Sequence, residues 1–208
     1  MQTEQLTTRQ HVPVANLGFQ ALETRPLENR GDEALARQAG GDPEAFAELY
    51  GRYMERVYRF LLIRTGSMPD AQDLTSQTFL AALESIGAYG GRGSFGGWLF
   101  GIARHKLADH YRRRRPEIPL DDVEGLPHPD PPPEQVAEAR LQLARVSRAL
   151  QSLDAQQAEA VALRLFGGLD AAEVARVMSK SEAAVKMLVH RGLRKLQERL
   201  NYSPEVSL

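Results

Sequence analysis

The sequence predicts an all-α protein of two small helical domains joined by an acidic, proline-rich linker, the second domain ending in a helix-turn-helix. Three observations carry that prediction. Apolar residues recur at spacings of three and four on both sides of the chain's middle, the period of a helix face and not of a strand. Seven of the twelve prolines fall in the 18 residues from Pro116 to Pro133, which favours extended, polyproline-like backbone over helix. From Asp170 onward a short helical pattern, a tight turn and a longer helical pattern follow one another, the spacing of a helix-turn-helix.

Length and charge set bounds on function. With 208 residues the chain has room for two small domains, here 33–115 and 134–200, flanked by an extension (1–32), the linker (116–133) and a tail (201–208). The 26 Lys and Arg against 27 Asp and Glu give a formal charge of −1, but the charges are segregated. From Arg92 to Arg115 seven basic residues face Asp109 alone, whereas Pro116 to Glu138 holds seven acidic residues and no Lys or Arg. Absence of cysteine excludes disulfides and thiolate metal sites, and the five histidines lack metal-ligand spacing, so no metal or cofactor is expected. The N-terminal stretch lacks a signal-peptide pattern, and no run approaches the ~18 apolar residues of a membrane span. A soluble, cytoplasmic protein is the expectation.

The elements follow in order. Residues 1 to about 40 show no sustained period beyond a turn of helix at Glu33 to Gln38. Asp42 as cap and Pro43 at the first helical position start a helix with Phe46, Leu49, Tyr50, Tyr53, Val57, Phe60 and Leu61, stopped by Gly66. Ser67 and Asp70 open a second, with Leu74, Thr78, Phe79, Ala82, Leu83 and Ile86 as its buried stripe and Asp70, Asp73, Gln77 and Glu84 on its other face. A glycine-rich loop, Tyr89 to Ser94, leads to a third helix with Phe95, Trp98, Leu99, Ile102 and Ala103 inward; core packing suits Phe95 and Trp98 better than a role as stacking platforms. That helix ends in four arginines, more than its macrodipole requires. After the linker, Val136, Leu143, Val146, Leu150 and Leu153 make one helix, and Asp154 caps another that stops at Gly167 and Gly168. Asp170 and Glu173 form a capping box before the short helix, and Ser181 caps the last, whose Val185, Val189, Leu193, Leu196 and Leu200 point inward. Lys186, Met187, His190, Arg191 and Arg194 are left for its outer surface.

Two motif blocks, DAQDLTSQTFLAALESI with GSFGGWLFGIARHKLADHYRRRR, and LDAAEVARVMSKSEAAVKMLVHRGLRKLQERL, closely resemble regions 2 and 4 of the extracytoplasmic-function (ECF) sigma factors of bacterial RNA polymerase. The resemblance covers roughly residues 33 to 200 and implies a non-enzymatic, monomeric subunit that binds core polymerase and promoter DNA, commonly held in check by an anti-sigma factor. It implies polymerase binding by Asp70, Asp73 and Gln77. It places Gly91, Arg92, Gly93 and Ser94 in a loop that captures a base turned out of the minus-ten strand, at a few kcal/mol of unstacking. Arg104, Lys106, Arg112, Arg113, Arg114 and Arg115 would track phosphates, and Lys180, Ala184, Lys186, Met187, His190 and Arg191 would meet the minus-thirty-five duplex. The chain departs from the family at Lys180, Met187 and Leu188, so base preference does not carry over, and at Gly101, where a larger residue is common and glycine slightly loosens the third helix.

Other readings stay open at this level. A stand-alone operator-binding regulator would use the same helix-turn-helix, usually as a dimer, although no separate dimerisation helix is evident. A helical enzyme would have to use His105, Asp109 and His110 on a strongly basic helix. An extended 18-residue linker reaches ~56 Å at ~3.1 Å per residue, beyond one duplex turn. It serves either as a strand threading a basic polymerase channel or as a soluble spacer. When free, the two domains either stay apart or dock on each other.

Overall fold

The computed structural model describes residues 31–91, 93–113 and 133–201, with the backbone alone for 133–140 and 201. Among these residues the protein is helical throughout, with no strand. Helix α1, Asp32–Gln38, takes in the turn of helix expected at Glu33 to Gln38; burial of Leu35 and Ala36 against α2 (Pro43–Thr65) anchors it. The Tyr53 hydroxyl donates to Asp32 at 2.5 Å, and burial together with that carboxylate pushes Tyr53 well above the ordinary tyrosine range.

Local signals set the helix ends. Asp42 accepts the Glu44 N–H at 3.0 Å with Pro43 behind it, and Gly66 closes α2 at φ 69°, a left-handed turn that suits glycine. Ser67 caps α3 (Met68–Ser85), a single 3-10 turn follows (Ile86–Ala88), and α4 runs from Phe95 to Arg113. Helix α5 starts at Pro133, the last proline of the expected linker, and ends at Gln151. Asp154 caps α6 (Ala155–Val161). The end of this helix widens into a π turn, Ala162–Phe166, in which the Gly167 N–H reaches back to the Ala162 carbonyl at 3.0 Å. The expected Asp170–Glu173 capping box is present in both directions at 2.8 Å and opens α7 (Ala171–Met178). Ser179 takes the left-handed turn at φ 53°, and α8 runs from Glu182 to Asn201.

Two expected faces differ. Leu83 is 49% exposed and Tyr50 44%, with the Tyr50 ring lying edge-on to Phe79 at 4.7 Å. At ~100° per residue, each lies about a quarter-turn from the centre of its helix's buried stripe.

Among the described residues one core runs through helices α1 to α8. On one flank α2 packs on α3 and α4, and on the other on α5 and the π turn; α7 lies against α4. The Arg56 guanidinium, stacked over the Tyr53 ring at 4.7 Å, donates to the carbonyls of Gly167 (2.9 Å) and Gly168 (3.0 Å), tying α2 to the π turn. The helices before and after the linker are therefore docked. The linker itself (116–132 of it), the arginines at 114 and 115, and the terminal segments 1–30 and 202–208 lie outside the described residues.

A Cβ on Gly167 would stand 2.7 Å from the Leu163 carbonyl oxygen and 2.8 Å from Phe100 Cε1. Gly167→Ala is expected to lower stability by about 1–3 kcal/mol in urea unfolding, the usual cost of an overpacked site.

Candidate nucleic-acid interface

The outer face of α3 combines carboxylates with apolar side chains. Gln77 Nε2 donates to Asp73 Oδ2 at 2.7 Å, one helical turn apart, and Leu80 (58% exposed) and Glu84 continue the same stripe. Leu83, expected inside, adds to this surface. Asp70 does not join it: its Oδ2 faces His110 Nε2 on α4 at 3.9 Å. The three acidic and amide candidates are thus split, with Asp73 and Gln77 on the outer stripe and Asp70 at the α3–α4 seam. Of the three groups a helical enzyme would need, His110 is committed to that seam and Asp109 pairs with Arg112.

The glycine loop after α3 is held from within. Gly90, Gly91 and Gly93 have φ of 60°, 67° and 81°, so the loop follows a path that side-chain-bearing residues rarely adopt. The Tyr89 hydroxyl donates to the Gly93 carbonyl at 2.8 Å, and its ring packs against Trp98 and Phe95 at centroid distances of 5.3 and 5.9 Å. Burial raises the Tyr89 hydroxyl above the usual tyrosine range, keeping it a neutral donor. Ser94 caps α4 by accepting the Gly97 N–H at 3.1 Å. Arg37 of α1 borders Gly91 and Arg176 of α7 borders Gly93, each with guanidinium or stem atoms under 4 Å from where a Cβ would stand. Arg92 lies outside the described residues.

The basic side chains of α4 diverge. Arg104 turns toward the second half of the chain, pairing through Nε with Glu159 at 2.5 Å and donating through Nη1 to the Val177 carbonyl at 3.4 Å. Lys106 and Arg113 line a cleft of about 250 Å³ against α3, with Asp73, Gln77, Asp109 and His110 on its other walls. Arg112 is exposed and bonded to Asp109.

In α8, Lys186, Met187 (51% exposed), His190 and Arg191 form an open outer face, while Val185 is fully buried. Ala184 is half-buried at the helix start, where its N–H donates to Ser181 at 3.2 Å, and Lys180 is half-buried in the turn. A Cβ on Gly192 would meet Val161 at 2.7 Å, so the close approach of α6 and α8 sets how far the outer face projects. Sequence reasoning missed Arg37, Arg56, Tyr89 and Arg176. Only Tyr89, an aromatic immediately before a double glycine, carried a local signal; the arginines owe their places to tertiary packing.

Residues 49–117 match the family Sigma-70 region 2, and residues 143–196 match Sigma-70, region 4. Over 167 residues the chain is 40% identical to ECF RNA polymerase sigma factor BldN of Streptomyces coelicolor, covering 79% of this chain but 63% of that protein. Over 186 residues it is 33% identical to RNA polymerase sigma factor CnrH of Cupriavidus metallidurans, covering 84% of this chain and 96% of the relative. The solved structure of CnrH in complex with the cytosolic domain of CnrY matches with a TM-score of 0.66 at 29% identity, covering 82% of this chain and 97% of that one.

Tyr89→Phe removes the hydroxyl bond to Gly93 and nothing else. Losing a net ~1 kcal/mol should make amide hydrogen exchange of Gly90 to Ser94 roughly fivefold faster while exchange in α2 stays unchanged.

Proposed function

The chain belongs to the ECF RNA polymerase sigma factors, and on that premise we propose that it directs promoter recognition and transcription initiation by binding core polymerase and the minus-ten and minus-thirty-five elements. The observation that carries the proposal is the order of two matched regions, 2 then 4, each presenting a surface of suitable chemistry. The protein has no reaction of its own in this reading; the polymerase supplies the chemistry. It acts in the cytoplasm as a monomer when free, without cofactor or metal, and no described helix is long and apolar enough to cross a membrane. A stand-alone operator-binding regulator would leave the region 2 match unexplained.

Core polymerase docks on the α3 stripe. Asp73 and Gln77 orient the complex through polar contacts, and Leu80 and Leu83 supply apolar area whose desolvation gives affinity, at ~25 cal/mol per Å². Asp70 acts from behind, holding α3 to α4 beside His110. The Gly90–Ser94 loop, with Arg92 and Ser94, receives an unstacked base; Arg104, Lys106 and Arg112 to Arg115 hold the backbone of the opened strand. On the duplex, Lys186 and Arg191 meet phosphates and base edges, Met187 offers apolar contact to a thymine methyl, and His190, Lys180 and Ala184 complete the footprint. Each site reads weakly alone; joining them by a tether raises the local concentration of the second to roughly millimolar. A protein partner that covers these surfaces, an anti-sigma factor, would hold the chain inactive.

Transcription with purified core polymerase on a library of promoter fragments tests the reading: added chain should create start sites that core alone does not use. A chain that fails to bind core, or grips the same DNA equally well without it, overturns the proposal. Leu80→Asp should weaken core binding at least about tenfold with an unchanged melting temperature, because it places an unpaired charge in an apolar contact. Lys186→Ala should reduce the salt slope of duplex binding by about one.

A further inference from the structure

Helix α1 lies before the matched region 2, which begins at residue 49, yet it is built into the same half of the protein. It packs on α2, on α4 and on the 3-10 turn, with Leu35, Ala36 and Ala39 buried. Its start is fastened by charge: Asp32 accepts from Arg52 Nη1 and from the Tyr53 hydroxyl, each at 2.5 Å. Glu33 turns back on the same end, its Oε2 3.7 Å from where a Cβ on Gly31 would stand. Both carboxylates of α1 are thus held at its start, and its other end is set by packing against the glycine loop.

Two contacts define that end. In the turn after α1, a Cβ on Gly40 would lie 3.9 Å from Gly87 Cα in the 3-10 turn. Arg37, in the last turn of the helix, puts Nη1 3.5 Å and Cδ 3.9 Å from where a Cβ on Gly91 would stand, so its stem and guanidinium lie along the loop backbone. Its charge is felt at Tyr89: burial raises that hydroxyl and Glu33 adds to the rise, while Arg37 opposes it. Arg37 is exposed, and among the described residues no carboxylate pairs with it. A basic residue in a last turn suits the helix macrodipole, but a side chain directed to solvent would satisfy that equally well; this one lies against the loop instead.

Resting on the sigma-factor reading, we propose that Arg37 is a further contact for the opened promoter strand, holding the phosphate beside the base that the Gly90–Ser94 loop receives. A base taken out of its stack carries its sugar and phosphate to the rim of the pocket, and a cation already aligned at that rim binds the phosphate at a smaller entropic cost than a side chain ordered from solvent. The forked guanidinium suits two phosphate oxygens. The strand site thereby extends beyond the matched region, onto an element for which the family resemblance implies no DNA contact.

The test uses holoenzyme assembled from core polymerase and the full-length chain, with binding of a labelled mixed-sequence single strand of about 12 nucleotides followed across a salt series. A mixed sequence serves because phosphate contacts carry no sequence information. The wild-type chain should tighten strand binding over core alone. Arg37→Ala should weaken it about five- to tenfold and make the slope of log affinity against log salt shallower by about 0.7, the share of one phosphate on a single strand. Arg37→Lys keeps the point charge and should restore the slope and most of the affinity. Lys195→Ala, which removes an exposed cation of α8, should change neither. Amide exchange of Gly90, Gly91 and Gly93 should be the same in Arg37→Ala as in the wild type, because Tyr89 holds the loop.

An Arg37→Ala holoenzyme with wild-type affinity and slope overturns the proposal. So does faster loop exchange with an unchanged slope, the mark of a residue that only shapes the loop. A loss that Arg37→Lys does not restore overturns the phosphate contact in favour of a guanidinium stacked on a base. If the wild-type chain does not tighten strand binding over core alone, the sigma-factor reading fails and takes this proposal with it, a result distinct from a variant that matches an active wild type.

Discussion

The structure depends on burying the second half of α2 on every side. Phe60, Leu61, Leu62 and Ile63 are four consecutive positions, all nearly inaccessible to solvent. Successive helical residues point ~100° apart, so such a run has no outward face and must be covered all round. Helices α3 and α4 cover one flank; α5 and the π turn cover the other. At ~1.5–3 kcal/mol per fully buried large side chain, these four represent a sum comparable to the ~5–15 kcal/mol net stability of a small protein. Docking of the two halves is thus part of how the apolar surface is satisfied. Separating them has a cost, which a partner with surface of its own to offer can offset.

Within that frame α4 is a helix with several employers. Its Phe95, Leu99 and Ala103 belong to the core, its Gly96–Phe100–Arg104 face meets the second half of the chain, and Lys106 and Arg113 line the seam with α3. Small residues make the crowding possible. Gly96 lets Tyr53 and Glu173 come within 3.2–3.3 Å of the space a methyl would fill, and Gly167 does the same for Phe100. The near-neutral net charge conceals this sorting. Two basic groups on α4 acquire their meaning from the element opposite, Arg104 from a carboxylate on α6 and Lys106 from the acidic and amide side of α3.

Much of the architecture was legible because it is local. Asp42, Ser67, Asp154, Asp170 with Glu173, and Ser181 all cap where their spacing says they should, since a cap needs only its own turn of backbone. Register was harder. Leu83 and Tyr50 lie at the edge of their stripes, where a small rotation of the helix decides between core and solvent, and the neighbouring helix sets that rotation. The site was legible in the same proportion. The outer residues of α8 and the Asp73–Gln77 pair follow from helical period, whereas the turn of Asp70 toward His110 and of Arg104 toward Glu159 follows from what lies across the seam.

The amino-acid order alone determined the helical class, most of the helix starts and stops, and the acidic, proline-rich break in the middle. These are consequences of backbone hydrogen bonding, side-chain period and proline geometry, all settled within a few residues. Only the tertiary structure decided that the two halves meet, that Arg56 finds two carbonyls more than a hundred positions away and that Arg104 faces a carboxylate on α6. Those contacts join residues far apart in the chain. Their existence depends on the shapes and crossing angles of whole helices, which no short window of sequence contains.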